Sequence, residues 1–146
     1  MISIENKVHY YETDKMGIVH HSNYIRMFED ARLEWLDQAG AAYAPAEAEG
    51  VISPVVGVSC DYRYPLRFGD VVNVRVRATK YTGVRLAFAY EVVLPDGTVA
   101  ASGMTKHCFQ KGDSSRPVSA AKEWPRIHEN LGLAFRRDEE EAARIG

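Results

Sequence analysis

The sequence predicts an α+β domain, an antiparallel sheet with one long helix packed on a face. Two observations carry this. Residues 22–39 hold a stripe of Tyr24, Met27, Phe28, Ala31 and Trp35 at spacings of three and four, with Leu36 and Ala39 continuing it. After residue 50 the period changes, and four strand-like runs follow one another with turn signals between them. Strand, helix and then a row of strands is the order of segregated elements, not of alternating βα units.

Each element has its own reason. Ile2 to Tyr11 alternates loosely and carries Ile, Val and Tyr, so a first strand is expected there. Glu12 to His21 contains Gly17 and is expected to be a loop. Ser22 is the expected N-cap of the long helix and Gly40 its stop. At 1.5 Å per residue the helix would be roughly 25 Å long. Ala41 to Gly50 is small and acidic, a loop or a short helix. Val51 to Tyr64 is expected to be one strand that ends at Pro65, with a turn at Arg67-Phe68-Gly69-Asp70. Val71 to Tyr81 alternates cleanly, Val72, Val74, Val76 and Ala78 against Asn73, Arg75, Arg77 and Thr79, as a strand buried on one face does. Val84 to Leu94 and Thr98 to Phe109 are the last two strands, joined by a hairpin turn at Pro95-Asp96-Gly97. Lys111 to Ser119 is a polar loop. Ser119 to Leu131 is a candidate helix interrupted by Pro125. From about residue 132 a charged tail, Arg136 to Arg144 at its centre, is expected to bury little and stay solvated.

Composition bounds the class. A chain of 146 residues, 46% apolar and 26% charged, fits a single domain over 1–146 with its own core. Eighteen basic against twenty acidic residues give a net charge of −2, which argues against nucleic-acid binding. Cys60 and Cys108 have no metal-like spacing and read as buried free thiols. No signal peptide and no membrane span is visible in the sequence, so a cytoplasmic protein is expected.

The chemistry concentrates in one run, Tyr11-Glu-Thr-Asp14-Lys-Met-Gly17-Ile-Val19-His20-His21-Ser-Asn23-Tyr24. A carboxylate just before a helix start can act as base or nucleophile beside backbone N–H groups that hold an oxyanion, which suits acyl transfer. An isolated Asp in that place is ordinarily a surface or capping residue. The full run reverses that reading for Asp14. His20 and His21 are neighbours whose side chains are not expected to share one helix face. His9, His107 and His128 are scattered, and no zinc-like set is present, so no metal is expected. Ser22 and Ser59 lack a nucleophile-elbow context. Thr13 can orient the Asp14 loop, and Glu29 with Arg32 reads as a pair on the helix surface.

This run, with Phe28-Glu29-Asp30-Ala31-Arg32 and Glu34-Trp35-Leu36 after it, closely resembles the hotdog-fold acyl-CoA thioesterases. Within them it is similar to the 4-hydroxybenzoyl-CoA thioesterase group and particularly its Tol-Pal-associated short-chain branch. Tyr64-Pro65-Leu66-Arg67-Phe68-Gly69-Asp70 and Arg116-Pro117-Val118 support the likeness, which spans roughly residues 3–125. The resemblance implies a curved sheet of about five strands around one long helix. It implies Asp14 as the catalytic carboxylate and His21 as the residue whose backbone N–H polarises the thioester carbonyl, with its side chain also at the site. Gly17 would let the loop turn back, and Thr13, Val19, Asn23 and Tyr24 would contact substrate. The substrate would be a short-chain or aromatic acyl-CoA and the assembly a homodimer or homotetramer with sites at subunit interfaces; no cofactor is implied. Lys80, Arg85, Lys111 and Arg116 are candidates to grip the CoA tail, and Met27, Phe28, Trp35 and Tyr43 to shape an acyl pocket. The rival is a non-catalytic module of the same fold that binds acyl-CoA or acyl-carrier protein, and an intact Asp14 counts against it. The hydratase pattern on the long helix is absent.

Overall fold

The computed structural model describes residues 1–112 and 115–145, and only the backbone of Tyr43 and Ala44. In chain order the elements are β1 (Ile2–Lys7), α1 (Ser22–Gln38), α2 (Tyr43–Ala48), β2 (Val51–Ile52), β3 (Val55–Tyr62), β4 (Val71–Tyr81), β5 (Arg85–Val93), β6 (Val99–Cys108), β7 (Gln110–Lys111), α3 (Ala120–Glu123) and α4 (Pro125–Ile145). Five strands form one antiparallel sheet in the order β1-β4-β5-β6-β3, and β2 pairs with β7 apart from it. The sheet wraps α1, which buries Tyr24, Met27, Phe28, Ala31 and Trp35. This is the hotdog arrangement.

The inward strand positions fill the space opposite that helix. Val72, Val74, Val76, Phe88, Tyr90 and Val92 are all essentially without solvent contact, and Phe28 stacks on Tyr90 at 4.4 Å. Helix and sheet approach closely at Gly103, where an added Cβ would stand 2.5 Å from the Phe28 ring. Gly40 ends the helix with φ of +78°, as expected of a glycine just past a C-terminus.

Several sequence expectations need correction. The first strand stops at Lys7, and Tyr10–Glu12 turns as a short 3-10 helix. The run from Val51 to Tyr64 is two strands, because Pro54 has no N–H to give a ladder. Pro125 opens α4 rather than breaking a helix, which suits a residue whose missing N–H is unpaired in the first turn anyway. Part of the loop from Lys111 to Ser119 falls at residues 113–114, outside the described residues.

The charged tail is not a solvated end. It forms the second half of α4, which packs on β4 through Ile127, Leu131, Ala134 and Asp138. Asp138 is 4% exposed. Its Oδ2 accepts from Trp35 Nε1 at 2.7 Å and from the backbone N–H of Ala78 at 2.8 Å. That N–H lies beside the register shift of β4 between Ala78 and Lys80. One carboxylate thus joins α1, β4 and α4. Replacing it by alanine strands two buried donors. Asp138→Ala should lower the unfolding free energy by about 3 kcal/mol. Urea unfolding at unchanged m-value measures this, and a shift below about 0.5 kcal/mol would contradict it.

Candidate active site

The loop before α1 is a narrow hairpin held from both sides. Thr13 bridges to Val19, and Ile18 bridges to Arg67. The Val19 N–H donates to the Leu66 carbonyl at 2.8 Å, tying this loop to the segment that leads into β4. Thr13 Oγ1 donates to the Tyr10 carbonyl at 2.7 Å, which closes the 3-10 turn. Asn23 is buried, and its Nδ2 donates to the Glu12 carbonyl at 2.9 Å.

Asp14 sits at the hairpin tip. Its N–H donates to the Ile18 carbonyl at 2.9 Å, and the Gly17 N–H returns to the Asp14 carbonyl at 3.0 Å. Gly17 has φ of +77°, the left-handed backbone that a tight turn needs and glycine tolerates. The side chain is fixed through one oxygen, Oδ1, which accepts from the Met16 N–H at 2.8 Å. Oδ2 has no partner among the described residues. A carboxylate held by one oxygen and free at the other is oriented and still able to take a proton or attack.

The helix start supplies the second half of the arrangement. Ser22 is the first helical residue rather than the cap. Its N–H donates to His20 Nδ1 at 3.3 Å, so the histidine side chain does the capping. The Asn23 and Tyr24 N–H groups are taken by the carbonyls of His20 and His21. That leaves the His21 backbone N–H without an acceptor among the described residues. The two histidine rings do lie together, with centroids 4.1 Å apart, contrary to the expectation from helix faces. They can because both precede the first helical residue.

Asp14, Val19, His21 and Tyr24 line one open cleft, completed by Met16, Tyr62 and Tyr64. Tyr62 donates its O–H to the His21 carbonyl at 3.3 Å and meets the Tyr24 ring edge-on at 5.1 Å. Burial pushes the Tyr24 phenol up to about 12, so it stays protonated. Thr13, Gly17 and Asn23 lie behind the cleft and shape it through the hydrogen bonds above. Met27, Phe28 and Trp35 are in the core. The Tyr43 side chain lies outside the described residues. Cys60, only half-buried, and Cys108 are both free thiols, and burial raises the Cys60 thiol. Lys80, Arg85 and Lys111 stand at the opposite end of the sheet from Asp14, where Lys111 pairs with Glu123 at 2.7 Å.

The sequence reading missed a second cavity, about 400 Å³ in volume, between α1, α4 and the ends of β5 and β6. Its walls are apolar, with Leu33, Leu36, Phe88, Phe109 and Leu131, and its polar groups are Glu29, Arg32, Ser53 and His107. Beneath it runs a chain of contacts. Arg32 donates to Tyr90 Oη at 3.2 Å, Tyr90 Oη meets Thr105 Oγ1 at 2.6 Å, and Thr105 Oγ1 meets His107 Nε2 at 2.9 Å. Arg32 has no carboxylate within salt-bridge reach among the described residues, so the expected pair with Glu29 does not form. The inward register shared by Thr105 and His107, two residues apart on one strand, is the signal that would have separated His107 from the scattered histidines.

The sequence profile of the thioesterase-like superfamily matches residues 8–130. The chain belongs to that superfamily. It is similar to the putative acyl-CoA thioesterase YneP of Bacillus subtilis, 32% identical over 124 residues that cover 85% of this chain and 90% of that one. The crystal structure of a DHNA-CoA thioesterase from Staphylococcus aureus superposes with a TM-score of 0.89 at 32% identity, covering 95% of this chain and 93% of that one. The acyl-CoA thioester hydrolase YbgC of Escherichia coli O157:H7 is 29% identical over 93 residues, 64% of this chain and 69% of that protein. Among the described residues of this thioesterase-like chain no helix is long and apolar enough to cross a membrane.

His107 makes the cavity sensitive to acid. Burial, with the Arg32 charge beside it, pushes its imidazole down to about 4 from the ordinary 6.5. The folded protein therefore resists a proton that the unfolded chain accepts. The stabilising contribution is complete above pH 6.5 and is lost as pH falls toward 4. It amounts to on the order of 3 kcal/mol. Unfolding free energy measured across that range should fall more steeply for wild type than for His107→Gln. Parallel curves would show that other groups carry the acid sensitivity.

Proposed function

We propose that this protein hydrolyses acyl-CoA thioesters as a two-fold dimer, Asp14 of each copy acting on an acyl group held in the other copy's cavity. The observation that carries the chemistry is the pairing of a free Asp14 oxygen with an unpaired His21 N–H at the start of α1. A thiolate leaves readily, with a thiol pKa near 8.5, so no strong general acid is required. Asp14 takes a proton from water or attacks the carbonyl itself, forming a mixed anhydride that water then cleaves. In either course the oxyanion falls to the His21 N–H, at the positive end of the α1 dipole.

The dimer follows from what one copy leaves open. The edge strand β3 exposes Val55, Val56, Val58 and Tyr62, whereas the other edge, β1, carries Glu5 and Lys7. Ile25 and Leu33, eight residues apart on α1, are also exposed, with Glu29 between them. If two copies pair β3 antiparallel about its middle, Val55 of each lies opposite Tyr62 of the other. Val55 is at the mouth of the 400 Å³ cavity, and Tyr62 lines the Asp14 cleft. Pairing therefore joins the two half-sites.

Cavity size favours a bulky acyl group. A hole of about 150 Å³ accepts benzene, and this one is about 400 Å³. Arg32 and His107 offer hydrogen bonds to a polar substituent, so an aromatic acyl-CoA suits the cavity better than a short aliphatic one. The name of the S. aureus relative, DHNA-CoA thioesterase, is in keeping with this. The YbgC match supports the family rather than the Tol-Pal-associated branch.

Asp14→Asn should lower kcat by about 10²–10⁴ while acyl-CoA still binds; activity retained by this variant would remove Asp14 from the chemistry. Ser53→Trp should block the cavity mouth and lose activity too. Mixing the two inactive variants should restore turnover, because each heterodimer holds one intact Asp14 facing one intact cavity. No recovery from subunits shown to exchange would mean that both halves of a site belong to one chain.

A further inference from the structure

The chemistry uses the backbone N–H of His21 and gives His20, the residue before it, no part. Val19 and His21 line the cleft, but the intervening His20 does not. Yet every polar group of His20 that faces the loop is tied. Its N–H donates to the Glu12 carbonyl at 2.8 Å, and its carbonyl accepts from the Asn23 N–H at 3.0 Å. Its ring Nδ1 meets Ser22 Oγ at 2.8 Å and accepts from the Ser22 N–H at 3.3 Å. The residue is exposed, so packing is not what holds the ring there.

These contacts decide where the His21 N–H points. The His20 carbonyl and the His21 N–H belong to one trans peptide, in which the two groups are coplanar and point opposite ways. With the carbonyl turned into α1 toward Asn23, the N–H is turned out of the helix start. No acceptor meets it there among the described residues. The ring fixes the other side. It reaches across His21 to Ser22, so the peptides before and after His21 are both held. His21 sits between them at φ −54° and ψ −30°, helical values one residue before α1 begins. A side chain that accepts from the N–H two residues on is the local bond that asparagine and aspartate favour. Histidine makes it here through Nδ1, which stands as many bonds from Cα as the Oδ1 of asparagine.

We infer that His20 is a positioning residue for the oxyanion: its ring, fixed on Ser22, aims the His21 N–H at the thioester carbonyl without touching substrate. This rests on the thioesterase reading for its reaction, but the clamp itself is measured without turnover. Positioning also decides which kinetic constant suffers. A donor on a loosened peptide still lets the substrate bind, and it is the developing oxyanion that loses its partner. The loss therefore falls on kcat and spares KM.

Amide exchange and steady-state kinetics of the full chain, in wild type, His20→Leu and His20→Asn, test this together. Leucine keeps the bulk and removes the acceptor, whereas asparagine restores an acceptor at the same reach. The Ser22 amide should exchange with solvent faster in His20→Leu than in wild type, and His20→Asn should slow it again. With an acyl-CoA, kcat should fall about tenfold in His20→Leu at a KM within about twofold of wild type, less than the loss of a whole oxyanion donor. His20→Asn should recover most of that kcat. Thermal melting checks that both exposed-site variants fold. Equal Ser22 exchange in wild type and His20→Leu, an unchanged kcat in His20→Leu, a loss confined to KM, or a His20→Asn enzyme as slow as His20→Leu would each overturn the assignment and leave the thioesterase reading standing. No turnover of any thioester by wild type, while Ser22 exchange still follows the acceptor at position 20, would overturn the thioesterase reading and leave the clamp.

Discussion

The Glu12 carbonyl oxygen fixes the relation between the two groups on which the proposed chemistry depends. It accepts from the Asn23 side chain at 2.9 Å and from the His20 N–H at 2.8 Å. Asn23 is already in α1, whereas Glu12 is still in the turn before Asp14. A buried carbonyl must be paired, and here both its partners lie across a loop whose ends it thereby holds together. The Glu12 side chain is held as well, accepting from the His9 N–H at 2.8 Å. The consequence is that Asp14 and the His21 N–H are set by one local network. Neither depends on a long flexible side chain for its place.

That network needs a rigid base, and α1 provides it. One face of α1 is packed into the sheet by Phe28 on Tyr90 and Trp35 edge-on to Phe88. The far end of the helix is tied by Trp35 Nε1 to Asp138. A buried carboxylate is costly unless it is well supplied with donors, and Asp138 has a ring N–H and a backbone N–H from two different elements. The C-terminal helix thus belongs to the core, and the Asp14 loop is anchored to a helix held at both ends.

The open side of the molecule is a matter of coverage. One helix masks only part of the concave face of a five-stranded sheet, and β3 is left with its apolar side chains in water. The cavity and the cleft each touch an opposite end of this strand. A two-fold operation along it would cover the apolar strip and bring a carboxylate to a cavity in the same step. The polar groups of that cavity, Arg32 and His107, share its walls with Val55 and Ser53.

The sequence by itself determined the order of elements, the long helix from Ser22 and the alternating strand over 71–81, because period and turn residues are local properties. It also determined that Asp14, Gly17 and His21 belong together, since they lie within eight residues. Only the tertiary structure decided where the rest went. The charged C-terminal run looked solvated because six of its residues are acidic or basic in a row, and nothing local says that Asp138 alone meets Trp35, 103 positions earlier. That Asn23 clamps the Glu12 carbonyl was not legible either, because its partner is defined by the loop's return and not by its neighbours. The Arg32–Tyr90–Thr105–His107 chain draws on one helix and two strands that share no sequence pattern. Long-range pairing of polar groups leaves no periodic trace, so burial and register had to be seen before these residues could be read.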